Sequence, residues 1–154
     1  MPEQDAIALL KADHKKVKAL LEELEKTTER GAGRRTKLLS QIEKELTVHT
    51  EIEETIFYPA FRDAVKKKED REMYFEALEE HHVVKLVLPE IKETDPSSEP
   101  FAAKAKVLKE LVTHHAKEEE RDMFPEAKKV LDRDELVELG RQMDAKKKQL
   151  MRGR

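Results

Sequence analysis

The chain has 154 residues, 42% of them charged and 38% hydrophobic, with no cysteine and a net charge of −3. That length fits one domain over residues 1–154 with a single core, and the absence of cysteine excludes disulfides, thiolate metal ligands and iron–sulfur clusters. Both signs of charge are interspersed, so no global field points to nucleic acid. The start Met1-Pro2-Glu3-Gln4-Asp5 lacks the basic-then-apolar pattern of a secretory leader. No apolar run nears the roughly 20 residues that span a bilayer. The expectation is a cytoplasmic helical protein with neither nucleic acid nor membrane among its partners; its protein partners are not legible.

The first helix is expected over about 5–29, capped by Asp5, whose carboxylate accepts a free first-turn N–H. Ile7, Leu10, His14, Val17, Leu21 and Leu24 form its core-facing seam. Gly31-Ala32-Gly33 is expected to end it, since glycine takes the left-handed conformation. The second helix is expected over about 34–68, with Leu38, Ile42, Leu46, His49, Glu53, Ile56 and Ala60 on its seam and a kink at Pro59. These two helices make a first repeat of about 5–68.

The third helix is expected over about 70–93, with Tyr74, Ala77, His81, Val84, Leu88 and Ile91 inward and a kink at Pro89. Thr94 to Pro100 reads as a loop. The fourth helix, about 101–131, places Phe101, Ala105, Leu108, Val112, His115, Glu119 and Asp122 inward and completes a second repeat of about 70–131. A short fifth helix of about 133–151 follows the cap Asp132 and docks through Leu136, Leu139 and Met143. Its basic end, Lys146, Lys147, Lys148, Arg152 and Arg154, reads as a solvated, frayed tail. The fold class is all-α, an up-down four-helix bundle with an internal two-helix repeat and this added helix.

The repeat carries chemistry. His49 and Glu53 recur 66 residues later as His115 and Glu119, and Pro59 recurs as Pro125 at the same offset; His14 recurs as His81 at an offset of 67. Histidine and glutamate four apart lie on one helical face and reach one centre. A buried carboxylate without a partner is costly, and a metal pair supplies the missing positive charge. The alternative, hydrogen-bonded core histidines and rim glutamates, explains one such residue but not six at duplicated spacing. The expected ligands are therefore His14, His49, Glu53, His81, His115 and Glu119. Two bridging glutamates, four imidazoles and a shared oxo or hydroxo group leave about two of the twelve positions of two octahedral irons open. Manganese and zinc accept similar donors.

The neighbours divide less sharply. His82 and His114 point about 100° from the seam and read as surface or supporting residues. Glu54, Glu118 and Glu120 lie off the seam and read as solvated. Glu45 and Asp122 read as either orienting a ligand or facing water. Tyr58 matches Phe124 in the repeat. It reads as a hydrogen-bonded core phenol or, more sharply, as a phenolate ligand at one open iron position.

The order His, HxxxE, His, HxxxE resembles the hemerythrin-like, or HHE cation-binding, family over nearly the whole chain, from His14 to Pro125. The segment from His115 to Met123, with Asp134-Glu135-Leu136-Val137-Glu138-Leu139-Gly140, is similar to mycobacterial-type hemerythrin-like proteins. The resemblance implies a four-helix bundle around an oxo-bridged di-iron centre held by the six residues above. It also implies a tyrosine ligand at the position of Tyr58. Two departures stand out. Oxygen-carrying members have a second histidine four residues after the third-helix histidine, where this chain has Lys85. Their last carboxylate is an aspartate five residues after its histidine, where this chain has Glu119 at four. Reversible oxygen carriage is therefore not the expectation. Catalase-like reaction with hydrogen peroxide is the first expectation, and non-enzymatic binding or sensing of oxygen, nitric oxide or iron the alternative. A purely structural helical protein is disfavoured by the polar seam.

Overall fold

A computed structural model describes residues 4–153; Met1 to Glu3 of the start and Arg154 of the basic tail lie outside the described residues. Helix α1 spans Ala6–Glu25 and α2 Ala32–Ile52. A π-helical turn, Glu53–Phe57, joins α2 to α3, Tyr58–Ala64. Helix α4 spans Lys68–Lys92 and α5 Glu99–Glu118. A second π turn, Glu119–Met123, leads into α6, Phe124–Val130, and α7 covers Arg133–Arg152. The four bundle rods are α1, α2 with α3, α4, and α5 with α6. Helix α1 packs on α2 and α5, α4 packs on α5 and α2, and α7 lies across α1 and α2.

Local chemistry sets the helix ends. Asp5 caps α1, accepting from the Ala8 N–H at 2.8 Å. Asp132 and Glu135 form a reciprocal capping box at α7, each side chain taking the other's backbone N–H. The expected glycine stop after the first helix does not occur. Helix α1 ends at Glu25, where the Thr27 hydroxyl donates to the Leu24 carbonyl. No glycine among the described residues has positive φ, and Gly33 lies inside α2. The buried Arg35 guanidinium closes this end by donating to the Thr27 and Pro96 carbonyls. Helix α4 runs on through Pro89.

The expected kink at Pro59 takes the form of the π turn. Proline cannot donate an N–H, and the wider turn sits directly before it. The Tyr58 N–H bonds the Glu53 carbonyl, five residues back, and the Phe124 N–H bonds the Glu119 carbonyl in the same way. Five-residue spacing puts Tyr58 in line with Glu53 and Phe124 in line with Glu119. It also shifts the buried face: Phe57, Tyr58 and Phe61 are fully buried, while Ile56 and Ala60 are only half-buried. Asp122, on the expected seam and read as either orienting a ligand or facing water, is turned out to pair with Arg121 for the same reason, and Met123 takes the interior.

Two apolar clusters fill the bundle. One holds Leu10, Ile52, Phe57, Ala77 and Met123; the other holds Val17, Leu46, Val84 and Val112. On each rod the seam histidine falls between these clusters, as His14 does between Leu10 and Val17. The six polar residues thus form one layer sandwiched between two oily ones.

Candidate metal centre

The layer draws its side chains from all four rods. His14 comes from α1, His81 from α4, His49 from α2 and His115 from α5, with Glu53 and Glu119 opening the two π turns. All six are buried, Glu53 completely. Their ligating atoms make two overlapping groups within 4.8 Å: His14, His49, Glu53 and Glu119, and Glu53, His81, His115 and Glu119. Glu53 and Glu119 belong to both. Six residues 105 positions apart in sequence at most are brought to one cluster able to hold metal.

Each imidazole is oriented from behind by a carboxylate. The Nδ1 of His14 donates to Glu120 at 2.7 Å, and that of His49 to Asp13 at 2.9 Å. The Nδ1 of His81 donates to Glu54 at 2.7 Å, and that of His115 to Glu80 at 2.5 Å. An imidazole that donates from Nδ1 keeps its lone pair on Nε2, the usual way a protein fixes a ligating histidine. All four Nε2 atoms face inward: His14 lies 3.0 Å from Glu119, His81 3.0 Å from Glu53, and the His81 and His115 nitrogens 3.2 Å apart. Asp13 and Glu80 were not foreseen, and Glu54 and Glu120 were expected to be solvated. Their signal was in the repeat: Glu80 follows Asp13 by 67 residues and Glu120 follows Glu54 by 66.

The packing leaves electrostatic business unfinished. The buried Glu53 Oε2 makes no hydrogen bond, and the buried His49 Nε2 lies 3.1 Å from the Glu53 Oε1 without forming one. Four inward lone pairs and two carboxylates are a poor fit to one another and a good fit to cations. In the metal-free chain, protons fill this role. Burial would lower His49, but the adjacent Glu53 charge and the hydrogen bond and charge of Asp13 raise it to about 10. His81 and His115 are raised against burial by the same carboxylate layer. Glu53 is held well below the usual carboxylate range, burial being outweighed by His49, His115 and His81.

Tyr58 reaches the cluster on one side. Its hydroxyl donates to Glu119 and lies 3.1 Å from Glu53, 3.2 Å from the His81 Nε2 and 3.2 Å from the His115 Nε2. Burial and the charges of Glu119 and Glu53 push the phenol well above its ordinary range. It is therefore a neutral donor unless a cation displaces its proton. Phe124, its counterpart, stacks on His14 with ring centroids 5.9 Å apart. The two halves are thus chemically unequal.

The remaining candidates lie outside the layer. His82 is exposed, and His114 pairs with Glu118 at 2.6 Å on the surface. Glu45 is buried but bonds Lys16 at 2.7 Å. Lys85 donates to both Glu54 oxygens, at 3.0 and 2.9 Å, from outside the bundle. A cavity of about 30 Å³ adjoins the four histidines, walled by Val17, Leu46, Val84, Val112 and Ala116.

Comparison with known proteins follows the same lines. A family model described as the hemerythrin HHE cation binding domain matches residues 5–127. The crystal structure of a hemerythrin HHE cation binding domain-containing protein from Mycobacterium kansasii superposes with a TM-score of 0.82. It is 29% identical and covers 95% of this chain and 86% of that one. A DNA nickase from Nostoc sp. is 31% identical over 116 residues, which are 75% of this chain but only 31% of the nickase.

Proposed function

The chain belongs to the hemerythrin HHE cation-binding domain family, and from that membership we propose that it is a non-haem di-iron protein that disproportionates hydrogen peroxide to oxygen and water. The ligands in this reading are His14, His49, Glu53, His81, His115 and Glu119, with Tyr58 as a further ligand on the His81 side. One observation carries it: two buried donor groups share Glu53 and Glu119, with His49 Nε2 and Glu53 Oε2 left without hydrogen bonds. Two shared carboxylates between two pairs of imidazoles are what a bridged metal pair requires. Mixed imidazole, carboxylate and phenol donors suit iron.

Bound iron would supply the redox couple and an electrophilic site for peroxide. The chain's own residues do the rest. Asp13, Glu54, Glu80 and Glu120 fix the four rings from behind. The apolar walls of the cavity exclude bulk solvent and limit entrants to a few atoms. Lys85 neutralises Glu54 from outside instead of adding a fifth imidazole, which supports an open or phenol-filled position over the carrier ligand set.

An oxygen electrode tests the reading. Iron-loaded wild type should evolve oxygen from peroxide, and His115→Ala and Glu119→Ala should lose most of that rate per iron. Equal rates per iron would assign the activity to free iron and overturn the enzyme reading. The apolar cavity favours a second reading, non-enzymatic binding of uncharged oxygen or nitric oxide. Repeated binding and release by the reduced protein without bleaching would select it. Nicking of DNA is not part of the proposal, because the shared region is under a third of the nickase.

A further inference from the structure

Helix α7 lies beyond residues 5–127, the extent of the family match. Of its end, expected to be a solvated, frayed basic tail, Lys148 and Arg152 are exposed but Lys146 and Lys147 are docked. Lys147 ion-pairs with Asp13, whose side chain is 3% exposed. The other Asp13 oxygen accepts from the Nδ1 of His49. Lys146 donates to the Thr55 hydroxyl at 3.1 Å and lies 3.7 Å from Glu51, holding the same rod beside its π turn. Among the described residues, the pseudo-equivalent carboxylate, Glu80, meets no such cation from α7. It pairs instead with His115 at 2.5 Å and His114 at 3.7 Å, both on α5.

We propose that α7 positions His49 through a Lys147–Asp13–His49 relay, so that the metal position of His14 and His49 depends on the C-terminal helix while that of His81 and His115 does not. This rests on the dinuclear reading above. The His49 Nε2 meets only Glu53 on its own rod, at 3.1 Å and without forming a hydrogen bond, so the one hydrogen bond that sets its ring angle comes from the Nδ1 side, to Asp13. Asp13 is buried with two oxygens to satisfy, and Lys147 satisfies one. Without Lys147, that oxygen must find another donor, and the carboxylate turns away from its alignment with the His49 ring. Close docking delivers the lysine. Gly140 lies where a Cβ would meet the Gln4 carbonyl oxygen at 2.6 Å and the Ala6 nitrogen at 2.8 Å, so only glycine lets α7 approach the start of α1 this closely.

The test is a cobalt(II) titration of the metal-free full chain, read by d–d absorption. Wild type takes two equivalents. Lys147→Ala weakens one of them by about tenfold, the usual scale for losing a ligand's outer partner, and leaves the other unchanged. Lys147→Arg restores it, and Lys148→Ala, an exposed neighbour paired with Asp144, matches wild type. In a His49→Ala background, Lys147→Ala has no further effect, because the relay ends at His49. Should Lys147→Ala fold poorly by circular dichroism, Asp13→Asn, which keeps the shape and removes the charge, weakens the same equivalent. A Lys147→Ala titration that superimposes on wild type overturns the relay. Equal weakening of both equivalents, or an effect that persists without His49, also overturns it in favour of general destabilisation. A wild type that takes only one equivalent overturns the dinuclear reading itself, and the relay with it.

Discussion

Tyr58 and Phe124 hold the same place in the two halves, yet only Tyr58 brings an oxygen to the carboxylate layer. In the metal-free chain, burial and the charges of Glu119 and Glu53 keep that phenol protonated. A ferric ion beside it reverses the balance, and iron-bound phenolate absorbs in the visible where imidazole and oxo ligands alone do not. Tyr58→Phe is expected to remove this band while iron content stays near wild type; an unchanged spectrum would make Tyr58 a packing residue. Single-residue deletions should sort by layer. Glu53→Ala and Glu119→Ala are expected to lose most bound metal, whereas His82→Ala and His114→Ala retain it, as measured by metal analysis after reconstitution. Equal losses across the four would contradict the assignment. The six seam residues were legible because charge and imidazole stand out against leucine and valine. Asp13, Glu54, Glu80 and Glu120 were not, because one step off a seam usually means solvent, and only the third dimension turns those carboxylates back onto a neighbouring rod's histidine.

The elements repeat this lesson. Helical periodicity located the bundle rods to within a few residues, and the caps Asp5 and Asp132 sit where expected. Periodicity could not reveal the π turns, since reading a seam at 3.6 residues assumes an unbroken α-helix. For that reason Ile56 and Ala60, expected on the seam, are only half-buried, and of the two readings of Asp122 the water-facing one holds. The duplicated aromatic-Pro pair was the available signal, marking the place where each rod must surrender one regular hydrogen bond. At the α7 contact, Gly140→Ala would drive a methyl into the backbone of Gln4 to Ala6. Backbone cannot swing aside as a side chain does, so a loss of roughly 1–3 kcal/mol is expected, seen as a lower Tm. Gly153→Ala, whose added Cβ would meet nothing nearer than 3.4 Å, should leave Tm unchanged and serves as the control.

At the scale of the whole molecule, a polar layer between two oily ones is a liability that only cations relieve. Among the described residues no helix is long and apolar enough to cross a membrane, and the bundle's unusual feature is this buried charge. Protons occupy the layer when metal is absent, and that makes apo stability depend on pH. A histidine raised from 6.5 to about 10 on folding, as His49 is, binds its proton more tightly in the native state. Its contribution is complete below about pH 6.5 and is lost as pH rises through about 10. His81 and His115 shift in the same direction. Apo-protein Tm should therefore fall between neutral pH and pH 10. Metal-loaded protein, whose ligands have already shed those protons, should melt higher and show a flatter profile over that window. Parallel profiles for the two forms would contradict this picture of the layer.

The central claim is that two metals share Glu53 and Glu119. Anomalous difference maps at the iron edge, from crystals of the iron-loaded protein, measure this directly. The account predicts two peaks flanking the Glu53–Glu119 pair, one facing His14 and His49 and the other facing His81, His115 and the Tyr58 oxygen. A single peak in the layer, or iron bound only at the surface, would contradict it.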